Sequence, residues 1–102
     1  MTALHERSLS GLRAGLDAGE FTSVELVTAL LGRIEALDPQ LNAFITVLGE
    51  AALADAARAD EARARGGAGP LCGLPIVHKD IFCMRDVRTT CGSRMLENFV
   101  SP

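Results

Sequence analysis

The sequence predicts an α/β fold, represented by one layer of helices and a first buried strand. Three observations point there. Apolar residues recur at helical spacing through most of the first 65 positions. A dense apolar run, Leu74-Pro-Ile-Val77, follows a glycine- and proline-rich break and reads as a strand covered on both faces. No second run of that kind exists to pair with it, and a sheet needs several strands for independent stability. A helical layer plus one buried strand is half of an architecture. The expectation is therefore the N-terminal piece of a larger protein, incomplete as a domain.

Leu9, Leu12 and Leu16 define a first helix, with Gly19 placed to end it. Thr22-Ser-Val-Glu25 is a capping-box pattern that opens a second, with Thr22 as N-cap. Val27, Leu30, Leu31, Ile34 and Leu37 form its apolar face. Asp38-Pro39 should stop it, because the residue before proline disfavours helical angles. Asn42 to Val47 is short and rich in β-branched residues, a strand or an extended connector. An alanine-rich third helix runs from about Glu50 to Arg65. Its Asp55, Arg58, Asp60, Glu61 and Arg63 read as a solvated face. Gly66-Gly-Ala-Gly-Pro70 breaks the chain. After the strand, Asp80 to Asn98 shows no clean period apart from a short helical turn near Ser93 to Leu96, and such irregular stretches are where sites tend to be built.

Composition excludes several function classes. The net charge of −3 leaves no basic footprint for nucleic acid, and four Phe with no Trp or Tyr leave little for base stacking. Any RNA partner would be gripped elsewhere. Behind Met1 there is no continuous apolar stretch of a targeting or membrane segment, so the default expectation is cytoplasmic. Cys72, Cys83 and Cys91 are odd in number and contain no Cys-x-x-Cys pair, which points to buried or half-buried free thiols rather than a disulfide framework or a metal site.

One residue stands apart. Of ten lysines and arginines, nine are arginine, and the single lysine, Lys79, closes the apolar run. A strand-end lysine can simply reach back to solvent. An ammonium group, unlike guanidinium, can also be brought to its neutral form by desolvation and act as a base. On a strand His78 would face away from Lys79, leaving it a packing role. Asp80 could hydrogen-bond neighbouring backbone as the chain leaves the strand, whereas a direct charge contact would oppose a neutral lysine. Thr89, Thr90 and Ser93 read as structural, and Arg88 as the partner of a structural carboxylate.

Gly73-Leu-Pro-Ile-Val-His-Lys-Asp80 resembles the segment that carries the catalytic lysine in the amidase signature family. The run His78-Lys-Asp-Ile-Phe-Cys83, followed by Val87-Arg-Thr-Thr-Cys-Gly-Ser-Arg-Met-Leu-Glu-Asn-Phe99, is similar to one branch of that family, the A subunits of tRNA-dependent amidotransferases. Ser23-Val-Glu-Leu26 and Arg33-Ile-Glu-Ala-Leu-Asp-Pro-Gln-Leu-Asn-Ala-Phe44 resemble that branch's opening helices. The resemblance covers essentially the whole chain. It implies a mixed β-sheet covered by helices on both faces, with residues 1–102 as the N-terminal part of a single amidase domain: 1–68 mainly helical, 69–102 the first core strand and active-site loop.

The resemblance also implies a mechanism. A serine attacks the amide carbonyl, a second serine held by a cis peptide bond relays the proton, and the lysine is the terminal base, which places Lys79 in that role. It implies glutamine hydrolysis supplying ammonia, within a heterotrimer completed by partner B and C subunits, for the conversion of Glu-tRNA(Gln) to Gln-tRNA(Gln) or Asp-tRNA(Asn) to Asn-tRNA(Asn). ATP and Mg²⁺ would be used by the partner, with no cofactor or metal in this chain. The glycine- and serine-rich signature that holds both serines is absent from this sequence, and Ser93 and Ser101 do not match it. These 102 residues alone are therefore expected to be inactive. A general amidase of the same family, or a non-catalytic helical interaction module, are the alternatives; the His78–Cys83 run argues against the first.

Overall fold

The computed structural model describes residues 3–80 and 82–102. The described chain forms two compact units. The first comprises the residues up to Leu41 together with Leu48–Pro75, and the second Asn42–Val47 together with Ile76–Pro102.

The first unit is helical. A 3-10 turn at Leu4–Glu6 precedes α1 (Leu9–Asp17). Ser8 caps α1, its Oγ accepting the Gly11 N–H at 3.1 Å. Gly19, at φ +71°, ends it as expected, with the Gly19 and Glu20 N–H groups donating back to the Leu16 and Gly15 carbonyls. Helix α2 (Ser23–Leu41) starts where the sequence places it, with the Thr22 hydroxyl accepting the Glu25 N–H at 3.1 Å. It does not stop at Asp38-Pro39. Proline removes one donor in the last turn and the helix passes through it to Leu41. Asn42, at φ +52°, provides the stop, being one of the few residues that tolerate left-handed backbone at a helix end. Helix α3 (Gly49–Ala64) packs on α2 and ends at Gly66.

The core of this unit is Leu16, Phe21 and Leu26, with Leu26 fully buried and Leu4, Leu12, Leu30 and Leu74 packed around it. Leu9 and Leu37, expected on apolar faces, are largely exposed. Phe21 lies directly on Gly15, where a Cβ would come within 2.3 Å of the ring, and the Arg7 guanidinium covers it at 5.4 Å. The third helix's charged face is only partly solvated. Asp60 turns toward the start of α2 and accepts the Ser23 N–H at 2.7 Å and the Val24 N–H at 3.1 Å, two donors with no partner within their own helix. Arg63 reaches the Asp17 carboxylate and donates to the Cys72 carbonyl at 2.9 Å. The mixed charges there are legible as surface, but not as fasteners between elements.

The second unit holds the expected site. Asn42 to Val47 is a connector without regular structure. The expected strand Leu74–Val77 does not form, and the described residues contain no strand. Ile76 and Val77 are 74% and 73% exposed. A strand's backbone groups need neighbouring strands, and this run pairs with none among the described residues. The nearest thing to sheet is one antiparallel bridge, Arg88 to Val100, extended by hydrogen bonds from Asp86 N–H to the Ser101 carbonyl, Ser101 N–H to the Val87 carbonyl and Thr89 N–H to the Phe99 carbonyl. The predicted helical turn is present as Arg94–Leu96, capped by Ser93.

Candidate functional site

Lys79 sits in the second unit, exposed, as is His78. Without a strand the two are not forced to opposite faces. The backbone just beyond the Lys79 Cα is nevertheless held by two hydrogen bonds. The Lys79 carbonyl accepts the Phe82 N–H at 3.1 Å, and the Asp80 carbonyl accepts the Cys91 N–H at 2.9 Å. Ile81, within the His78–Cys83 run, lies outside the described residues, as do Met1 and Thr2.

Asp80 organises the loop that follows. Its Oδ1 accepts the Thr90 N–H at 3.0 Å, and its Oδ2 accepts the Thr90 hydroxyl and, at 3.3 Å, the Gly92 N–H. Thr90 is buried, and its own Oγ1 also accepts the Gly92 N–H at 3.2 Å. The Thr90 hydroxyl first, then the Thr90 and Gly92 amides and the nearby Arg88 charge, hold the Asp80 carboxyl below its ordinary 3.8, against a partial desolvation that acts the other way. The sequence predicts that Asp80 bonds neighbouring backbone; it does bond backbone, but that of Thr90 and Gly92, ten and twelve residues on. Thr90 reads from the sequence as structural, and its hydroxyl partner is not legible there: nothing in a ten-residue separation signals that Asp80 and Thr90 meet.

A shallow cavity of about 260 Å³ lies beside this clip, lined by Ile45, Arg88, Thr90, Ser93, Arg94 and Glu97. Arg88 Nε is buried there without a hydrogen-bond partner, while the Arg88 charge lies near enough to Asp80 to favour its carboxylate. Lys79 is not part of this cavity's lining. Among the cysteines, Cys72 is half-buried with its thiol 3.7 Å from the Ala59 carbonyl, whereas Cys83 and Cys91 are exposed rather than half-buried. Among the described residues no group of three or more His, Cys, Asp or Glu could hold a metal, and no helix is long and apolar enough to cross a membrane.

A sequence model of the family described as Amidase matches residues 25–102, which takes in α2 from its third residue, α3 and the whole Lys79–Asp80–Thr90 region. The chain belongs to the amidase family. Curated amidase-family relatives match at high identity. The chain is 61% identical over 97% of its length to a protein of Methylococcus capsulatus, 62% over 93% to one of Aromatoleum aromaticum, and 58% over 97% to one of Thioalkalivibrio sulfidiphilus. Each of those proteins is named as the A subunit of glutamyl-tRNA(Gln) amidotransferase. The chain spans about a fifth of their length, 20%, 19% and 20% respectively.

Proposed function

We propose that this chain, within a polypeptide of the relatives' length, works as the glutamine-hydrolysing component of a tRNA-dependent amidotransferase. The observation that carries the reading is identity near 60% across almost the whole chain to proteins bearing that component's name. In this reading residues 1–102 are the N-terminal part of one amidase domain. Leu74–Val77 becomes a strand of a mixed sheet covered by helices, its exposed Ile76 and Val77 meeting apolar partners from the rest of the polypeptide.

Lys79 then serves as the terminal base of a Ser–cis-Ser–Lys triad. One serine hydroxyl attacks the glutamine side-chain amide, its proton passing through the second serine to the Lys79 amine. The proton then returns to the leaving nitrogen, which departs as ammonia, and water hydrolyses the acyl-serine to glutamate. Lysine suits this role because its amine can be neutral; arginine stays charged. Both serines lie outside these 102 residues. The ammonia passes to the B partner, which uses ATP and Mg²⁺ to activate glutamate on tRNA(Gln), or aspartate on tRNA(Asn), while a small C partner holds the other two together. The net charge of −3 fits that division, with the polyanionic RNA handled elsewhere in a cytoplasmic complex.

The test uses the complete polypeptide. Copurification with B- and C-type partners and glutamine-dependent formation of Gln-tRNA(Gln) or Asn-tRNA(Asn) are expected, with Lys79→Ala abolishing glutamine hydrolysis while the protein stays folded. Turnover of small amides without those partners, and no aminoacyl-tRNA product, would instead establish a general amidase.

A further inference from the structure

We infer that Asp80 and Thr90 form a clip that positions the Lys79 amine. The inference rests on the reading of Lys79 as a base. Asp80 adjoins Lys79 in the chain, and both its ends are engaged: its carboxylate by the Thr90 hydroxyl, the Thr90 N–H and the Gly92 N–H, its carbonyl by the Cys91 N–H. The Phe82 N–H holds the Lys79 carbonyl as well. The direction in which the Lys79 side chain leaves the backbone is thus set by bonds to residues ten to twelve positions beyond Asp80. A lysine stem has four flexible carbons, so a small rotation at Cα becomes a large displacement at Nζ.

The clip also bears on charge. A free carboxylate beside Lys79 would favour the ammonium form and oppose its use as a base. Here three donors converge on the Asp80 carboxylate, so its oxygens are engaged on the Thr90–Gly92 side. Asp80 and Thr90 touch no reacting atom. They are positioning residues.

The experiment compares Thr90→Val, Thr90→Ser, Asp80→Asn and Lys79→Ala in the complete protein assembled with its partners. Thr90→Val keeps the shape and removes the hydroxyl. It should lower kcat for glutamine hydrolysis by ~10-fold or more, the order of loss a displaced catalytic group produces. KM for glutamine should stay within about twofold, since ground-state binding is not touched. Thr90→Ser, which restores the hydroxyl, should recover kcat. Asp80→Asn should show the same split between kcat and KM, and covers the case in which valine is not tolerated at a buried site. A merely structural role would lower Tm and the folded fraction while leaving kcat per folded enzyme intact, and that result overturns the clip. So does a kcat loss that Thr90→Ser fails to recover. Wild-type hydrolysis by Lys79→Ala would instead overturn the reading of Lys79 itself, whereas an inactive Lys79→Ala beside an unaffected Thr90→Val removes the clip alone.

Discussion

Asp80 shows how much of a residue's role depends on partners distant in sequence. The lysine before it is singled out by the sequence, because a lone ammonium at the end of an apolar run in an arginine-rich chain is unusual and the surrounding motif is specific. The donors that converge on Asp80 are not, since Thr90 and Gly92 carry no local sign of their partner. Its carboxyl is held below the ordinary 3.8, chiefly by the Thr90 hydroxyl. A group depressed in this way contributes stability that is present above its unfolded value and is lost as pH falls through its folded value. The clip should therefore survive acidification to the ordinary carboxylate range and open only below it. Following the isotope-labelled Asp80 carboxyl carbon by NMR should give a midpoint below 3.8. A midpoint at or above that value would mean the three donors do not engage it in solution.

Among the elements, the three helices are readable because each carries its own punctuation. Ser8 and Thr22 cap starts, Gly19 and Gly66 end α1 and α3, and apolar spacing supplies the faces. The end of α2 departs from expectation because the rule about residues before proline expresses a preference, which Pro39 in a last turn does not enforce. The strand departs for a different reason. An apolar run records that a segment will be buried, but backbone pairing needs partner strands, and the described residues contain none. Asp60 is the fastener the sequence hides, since a helix-surface aspartate looks solvated until another helix start is placed against it. Asp60→Ala leaves the first two N–H groups of α2 without acceptors and should cost about 1–2 kcal/mol, the range of a lost N-cap. Asp55→Ala, whose carboxylate meets only the exposed Arg58 on its own helix, should fall within about 0.5 kcal/mol of wild type. Denaturant unfolding of the two variants side by side checks this, and equal losses would mean that Asp60 does not cap α2.

For the whole molecule, the distribution of apolar surface matters most. The first unit buries a core, whereas the second leaves Ile45, Ile76, Val77, Phe82 and Val100 largely exposed in the unit that carries the catalytic candidate. The proposed mechanism places that lysine among apolar walls and two serines, and neither serine is in the sequence. Residues 1–102 alone should therefore show no glutaminase activity above background in an ammonia-release assay, and measurable activity would contradict a mechanism that depends on those serines. The most direct test of Lys79 as the base is aminoacyl-tRNA amidation by the complete complex carrying Lys79→Ala, run once with glutamine and once with ammonium salt as nitrogen donor. The glutamine-dependent reaction should be lost and the ammonia-dependent one retained, because only the release of ammonia passes through Lys79. Wild-type amidation from glutamine would contradict that role.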